Sequence, residues 1–202
     1  MRTKHRMNLQ KHRAKQVSLL TNELGVYALC DLDNVPIYVG QSTDGIRKRV
    51  QRHLTSARSD VIANRLLDVW EVGYVWAWPI PGGNRQRMRD VECYLVNKFH
   101  RKKPLMNGTI PKHRAATPRL PEKQEVMILP AEEIEKRKDP LLRLPRQAAH
   151  FNSLFSHILE VKDNADLRRA LAAHFERLSA YYQDFMSRST QSPVSENDSS
   201  TE

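Results

Sequence analysis

The stretch from 25 to 42 constrains this chain more than any other. Residues 25–31 (Gly-Val-Tyr-Ala-Leu-Cys-Asp) and 36–42 (Pro-Ile-Tyr-Val-Gly-Gln-Ser) read as two strands around Asp33-Asn34. So short a connection makes an antiparallel hairpin the simplest arrangement. With the turn at Asp33-Asn34, Tyr27, Leu29, Tyr38 and Gly40 share one face. Gly40 then falls opposite or diagonal to Tyr27 and clears space around its hydroxyl. A third strand is expected over 72–80, where Val72, Tyr74, Trp76, Trp78 and Ile80 alternate with Gly73, Val75 and Ala77.

Helical spacing supplies the cover. Residues 45–57 place Ile46, Val50 and Leu54 on one stripe, with Asp44 as cap. A second helix is expected from about 60 to 71, capped by Ser59 or Asp60, with Ile62, Leu66, Val69 and Trp70 inward. Pro81-Gly82-Gly83 breaks the third strand, and Asn84 can cap a helix over 85–100. The fold class expected is therefore α+β, a three-stranded antiparallel sheet flanked by helices. After Asn107-Gly108, six prolines between 111 and 145 predict an extended linker with a short helix at 131–138. Residues 147–161 and 165–187 are amphipathic and predict a helical hairpin, too small to fold alone. The expected division is a basic arm (1–16), a core domain (17–108), a Pro-rich linker (109–146), the hairpin (147–187) and a disordered Ser/Thr-rich tail (188–202).

Charge narrows the partners. The 33 Lys+Arg against 23 Asp+Glu give a net charge of +10. Residues 1–16 carry six Lys/Arg and no acid, while 147–202 carry five against eight acids. A surface basic over its first three quarters suits a polyanion such as nucleic acid, because each neutralised phosphate releases counterions. No run of eighteen apolar residues occurs, and the N-terminus lacks an apolar leader stretch, so no membrane span is expected. Two cysteines, Cys30 and Cys93, make no disulfide framework, and a reducing cytoplasmic setting is the expectation.

Three polar residues stand where the pattern expects apolar ones. Arg49 and His53 follow Ile46 by three and seven residues and lie along the edge of its stripe. Glu92 lies four after Met88 and three before Leu95, in or beside the apolar face of its helix. A carboxylate there is costly unless a cation, a metal or a hydrogen bond meets it. Each residue alone reads equally well as a boundary position paired with a neighbour. Together with the two tyrosines they form a set suited to phosphodiester hydrolysis: an oxygen base, a cation for developing charge, and a carboxylate for a metal. The scattered histidines lack zinc-site spacing. Trp76 and Trp78 could stack bases, but half-buried core is the better reading.

Gly25-Val26-Tyr27, followed after ten residues by Tyr38-Val39-Gly40, resembles the paired motif of the GIY-YIG nuclease family. Arg49 and His53 match the family's helix spacing, Glu92 stands where the family has its metal-binding glutamate, and Asn107 where it has a late asparagine. The likeness spans 25–108. It departs at Gln41, often lysine in the repair branch, and lacks the long insertion of some restriction enzymes. The resemblance implies a metal-dependent DNA endonuclease using one Mg²⁺ or Mn²⁺ on Glu92. Tyr27 would be general base or relay, helped by His53; Tyr38 would orient water or phosphate, Arg49 would stabilise the phosphoryl oxygens, and Asn107 would tie the last turn to the site. Asn107 reads equally well as a turn-forming Asn-Gly. Gln41, Lys48 and Arg52 near the site, and Lys4, Arg6, Lys11 and Arg13 on the arm, are the expected nucleic-acid contacts. The rival expectations are a nuclease for single-stranded DNA or RNA, and a non-catalytic nucleic-acid-binding module. The C-terminal helices are expected to pack on the core or to form a homodimer.

Overall fold

The structure, a computed structural model, describes residues 2–55, 66–112 and 117–189. Strands β1 (Gly25–Cys30), β2 (Pro36–Ser42), β3 (Tyr74–Pro79) and β4 (Gln124–Met127) form one antiparallel sheet in the order β2-β1-β3-β4. Among the described residues six helices accompany it: α1 (Arg2–Ser18), α2 (Ile46–Thr55), α3 (Arg85–His100), α4 (Ala131–Lys138), α5 (Pro140–Glu160) and α6 (Ala165–Ser189). Among the described residues, no helix is long and apolar enough to cross a membrane.

The β1–β2 turn is built by aspartate chemistry. Asp31 Oδ1 accepts hydrogen bonds from the backbone of Asp33 at 3.0 Å and Val35 at 2.9 Å, and Asn34 takes a positive φ of 58°. The resulting register pairs Tyr27 with Gly40 and Leu29 with Tyr38. One face of the sheet carries Tyr27, Leu29, Val75 and Ala77. It packs against Ile46, Val50 and Leu54 of α2, with Leu154, Leu167 and Ala170 of α5 and α6 in the same core. The other face carries Val26, Ala28, Val39 and Trp78 and packs against Met88, Val91 and Leu95 of α3. Asn84 caps α3 by accepting from the Arg87 N–H at 2.9 Å.

The sheet has four strands where the sequence predicts three. In β4 only Val126 is buried, so four residues with a single inward side chain offer no apolar run to read. Long-range side-chain bonds hold it instead. Gln124 accepts from Thr21 N–H at 2.9 Å and donates to Leu19 C=O at 2.8 Å, and Asn34 donates to Glu125 at 2.6 Å.

The segment 109–146, expected as a linker, carries β4, α4 and the start of α5. Two of its prolines mark helix starts, Pro130 at the N-cap of α4 and Pro140 in the first turn of α5. Asp139 caps α5 by accepting from Leu141 N–H at 2.9 Å, and Pro140 occupies the first turn, where a missing N–H has no helical partner to lose. The first helix of the C-terminal hairpin thus begins at Pro140 rather than 147, with Pro145 inside it. The basic arm is helical over Arg2–Ser18, extending past 16. Of the helix expected at 60–71, residues 60–65 lie outside the described residues, 66–68 are not helical, and Val69–Glu71 forms a single 3₁₀ turn. Most of the expected tail, residues 190–202, also lies outside them.

Charged bonds join the hairpin α5–α6 to the rest of the chain. Arg177 donates to Asp31 Oδ2 and to Pro36 C=O, each at 2.9 Å, and to Pro104 C=O at 3.2 Å. Arg143 pairs with Glu71 and with Asp33 at 2.7 Å, while Arg146 makes a forked pair with Asp68 at 2.5 and 2.7 Å. Such buried charges are tolerated because each is met by an opposite partner in good geometry.

Candidate active site

Helix α2 presents its apolar stripe to the sheet, and that orientation carries His53 inward beside Tyr27. The Tyr27 hydroxyl lies 2.6 Å from His53 Nε2, and both residues are buried. Tyr38 completes a ring triad, with centroids 6.4 Å from Tyr27 and 5.7 Å from His53. Gly40 is required here: a Cβ at that position would stand 2.7 Å from the Tyr27 hydroxyl oxygen.

Burial pushes the Tyr27 phenol well above its ordinary pKa, and Tyr38 adds to this. A hydrogen bond from Arg49 and its positive charge pull the other way, while the charge of Glu92 pushes it up again. The His53 tautomer sets the direction of the short bond: with the ring proton on Nδ1, Tyr27 O–H donates to Nε2. Arg49 therefore meets the same hydroxyl as His53. Helix register brings the two together, since residues four apart on a helix share a face.

Glu92 reaches this cluster from the opposite layer. Helix α3 covers the far face of the sheet, yet the Glu92 carboxylate accepts the backbone N–H of Gln41 on β2, the outermost strand. Burial lifts the Glu92 pKa, and the Gln41 N–H lowers it by less. The same strand edge is closed further along. Asn107 Oδ1 accepts from Val39 N–H at 3.0 Å, its Nδ2 donates to Val39 C=O at 2.7 Å, and Met106 N–H donates to Ile37 C=O at 2.8 Å. Residues 106–107 thus act as a short false strand, and an otherwise open edge is satisfied.

The sequence-predicted site residues therefore separate into layers. Tyr27 and His53 are enclosed; Tyr38, Arg49 and Glu92 are partly exposed and form the mouth. Asn107 is buried and spends both ends of its amide on Val39, so its part is positional. Lys48 and Arg52 are exposed on the outer side of α2, Arg52 paired with Asp44 at 2.9 Å. Gln41 gives its N–H to Glu92 and is partly exposed. Lys11 is exposed, but Arg13 turns inward and donates to Val69 C=O at 3.4 Å. The side chains of Lys4 and Arg6 lie outside the described residues. Sequence reasoning missed Arg177, which clasps the start of β2 and the segment leading to Asn107. No local pattern could reveal a bond spanning 146 residues.

Among the described residues, no three His, Cys, Asp or Glu side chains gather as a metal cage. The donor set fits a hard cation held by one carboxylate, Glu92, and completed by water and phosphate oxygens, the usual manner of Mg²⁺. Desolvation of that carboxylate gives it reason to accept a cation. No family model matches the chain, and comparisons with curated proteins and with solved structures return no match.

Proposed function

We propose that the chain is a metal-dependent endonuclease of the GIY-YIG type that hydrolyses nucleic-acid phosphodiester bonds, DNA first among them. The observation that carries the reading is the Tyr27 hydroxyl, bonded to His53 at 2.6 Å and met by Arg49, in space that only a glycine at position 40 leaves free. Glu92 would hold Mg²⁺ or Mn²⁺, which when bound supplies positive charge at the phosphoryl oxygens.

The raised pKa of Tyr27 makes a standing tyrosinate a poor base near neutrality. The proton path is instead a relay. Water oxygen attacks phosphorus, its proton passes to the Tyr27 oxygen, and the Tyr27 proton moves to His53 Nε2. Arg49 steadies the charge that grows on the phosphoryl oxygens, and Tyr38 orients the water at the mouth. The P–O bond to the leaving oxygen then breaks, and that oxygen takes a proton from solvent.

Complete burial of Tyr27 favours the second reading, a nucleic-acid-binding module without catalysis, because the relay needs water at a hydroxyl that solvent does not reach. Incubation of the protein with plasmid, single-stranded DNA and RNA, with and without Mg²⁺, separates the two. Mg²⁺-dependent cleavage that disappears in Glu92→Gln supports the enzyme. Binding without cleavage supports the module.

A further inference from the structure

Helix α1, the C-terminal end of α2, the 69–71 turn and α4 enclose a groove of about 690 Å³ that the relay does not use. Two guanidiniums line it, those of Arg13 and Arg137, with Arg146 near the Trp70 ring and the carboxylates Asp68 and Glu133 close enough to act on Arg13 through charge. Arg146 is forked onto Asp68 at 2.5 and 2.7 Å. Arg137 pairs with Glu133 at 2.7 Å, donates to Trp70 C=O at 2.6 Å and lies over the Trp70 ring. Among the described residues, Arg13 makes one long bond, to Val69 C=O at 3.4 Å, although its planar fork carries five donors, and Asp68 and Glu133 act on it through charge. Burial and the neighbouring Arg137 lower its pKa to about 10. One positive charge, half-buried and short of acceptors, thus faces an open groove, the condition an anion would relieve.

The groove is continuous with the outer face of α2. Gln51 and Thr55 line both it and the shallow hollow that holds Lys48 and Arg52. Lys48 and Arg52 are one helical turn apart on the helix that also carries Arg49. Gln51 and Thr55 therefore link the groove of Arg13 to the hollow of Lys48 and Arg52, the latter paired with Asp44 at 2.9 Å.

We propose that Arg13 is a phosphate-binding subsite that holds a backbone phosphate of the substrate strand away from the scissile bond. This rests on the nucleic-acid reading above and adds that α1 grips the strand at a built position.

The test is binding of a fluorescent twelve-nucleotide single strand to the full chain in EDTA, where no cleavage intervenes, over a range of salt. Arg13→Gln should weaken binding about five-fold at 0.1 M salt and reduce the slope of log K against log salt by about 0.7, one single-strand phosphate contact. Arg13→Lys should keep most of that slope. Leu9→Ala loosens the same groove without removing charge and should leave the slope intact. Unchanged affinity and slope in Arg13→Gln, with wild type binding normally, overturns the subsite. A slope lowered equally by Leu9→Ala also overturns it, because helix docking would then be the cause. Failure of the wild-type protein to bind any strand defeats the nucleic-acid reading itself.

Discussion

Arg177 of α6 donates to the buried carboxylate of Asp31 at 2.9 Å, and the same guanidinium holds the carbonyls of Pro36 and Pro104. One side chain from the end of the fold thus clamps two segments of the site. Pro36 opens the strand that carries Tyr38 and Gly40, and Pro104 leads to Asn107. Arg177→Ala should cost roughly 3–5 kcal/mol, because it strands a carboxylate in the core. Denaturant unfolding at pH 7 measures this. A loss below about 1 kcal/mol would mean that Asp31 finds solvent or another donor.

Gly40 and Tyr27 are coupled by space. Gly40→Ala puts a methyl 2.7 Å from the Tyr27 oxygen, so the hydroxyl must leave His53 or β2 must shift. Cleavage should fall by at least 10²-fold while far-UV circular dichroism is retained. Tyr27→Phe should lose a similar amount, and adding His53→Ala to it should cost little more, since members of one relay are non-additive. Multiplicative losses in the double variant would place the two residues on separate paths.

Glu92 is buried enough that its pKa is raised, and the sign of the consequence can be worked out. A carboxyl whose folded pKa exceeds its unfolded value binds its proton more tightly in the folded state. It therefore favours folding at low pH, and that contribution is lost as pH rises through the folded pKa. In metal-free buffer at pH 7, Glu92→Gln should consequently be no less stable than wild type, and with Mg²⁺ added its cleavage should be abolished while that of wild type proceeds. Calorimetry and plasmid nicking read the two quantities. A variant that is both destabilised and active would make Glu92 a structural residue.

The contrast between what could and could not be read in the chain is physical. The face shared by Tyr27, Tyr38 and Gly40 follows from a turn and a period of two, both local, and Arg49 and His53 follow from a period of four. Strand β4 eluded the same reading because one buried residue in four carries no periodicity; Gln124, bonded to Leu19 and Thr21, fixes it from a distance. The prolines misled for a related reason. Pro140 is a breaker by composition, and only the cap at Asp139 shows that it starts a helix. Arg13 looked like an arm charge because a helix face cannot be assigned before its neighbours are known. The inward position of Glu92 was legible from spacing, but the fact that it rounds the edge of β2 to meet Gln41 was not.

His174 offers a pH signature for the docking of the hairpin. Its Nε2 lies 3.1 Å from Leu66 C=O, and its ring packs 4.6 Å from that of His150. Burial is the main cause that lowers its pKa to about 3; His150 and Arg177 add to this, against Leu66 C=O and Asp68. Below about pH 6.5 the unfolded chain takes up a proton that folded His174 refuses, so stability falls with pH by up to roughly 1.4 kcal/mol per unit. Glu71 works in the opposite sense. Burial lifts it to about 7 despite Arg143, so the folded state gains a proton first and stability rises as pH falls from 7 towards 4.5. The two partly cancel in the wild-type protein. His174→Gln keeps a donor for Leu66 C=O and removes one titration, leaving the opposed trends of Glu71 and of His100, whose pKa burial also lowers. Unfolding free energies measured from pH 7 to 5 should then decline less in the variant than in wild type, by close to one proton. Parallel curves would show that His174 is already protonated in the fold, and that the contact between α6 and Leu66 is looser than its burial implies.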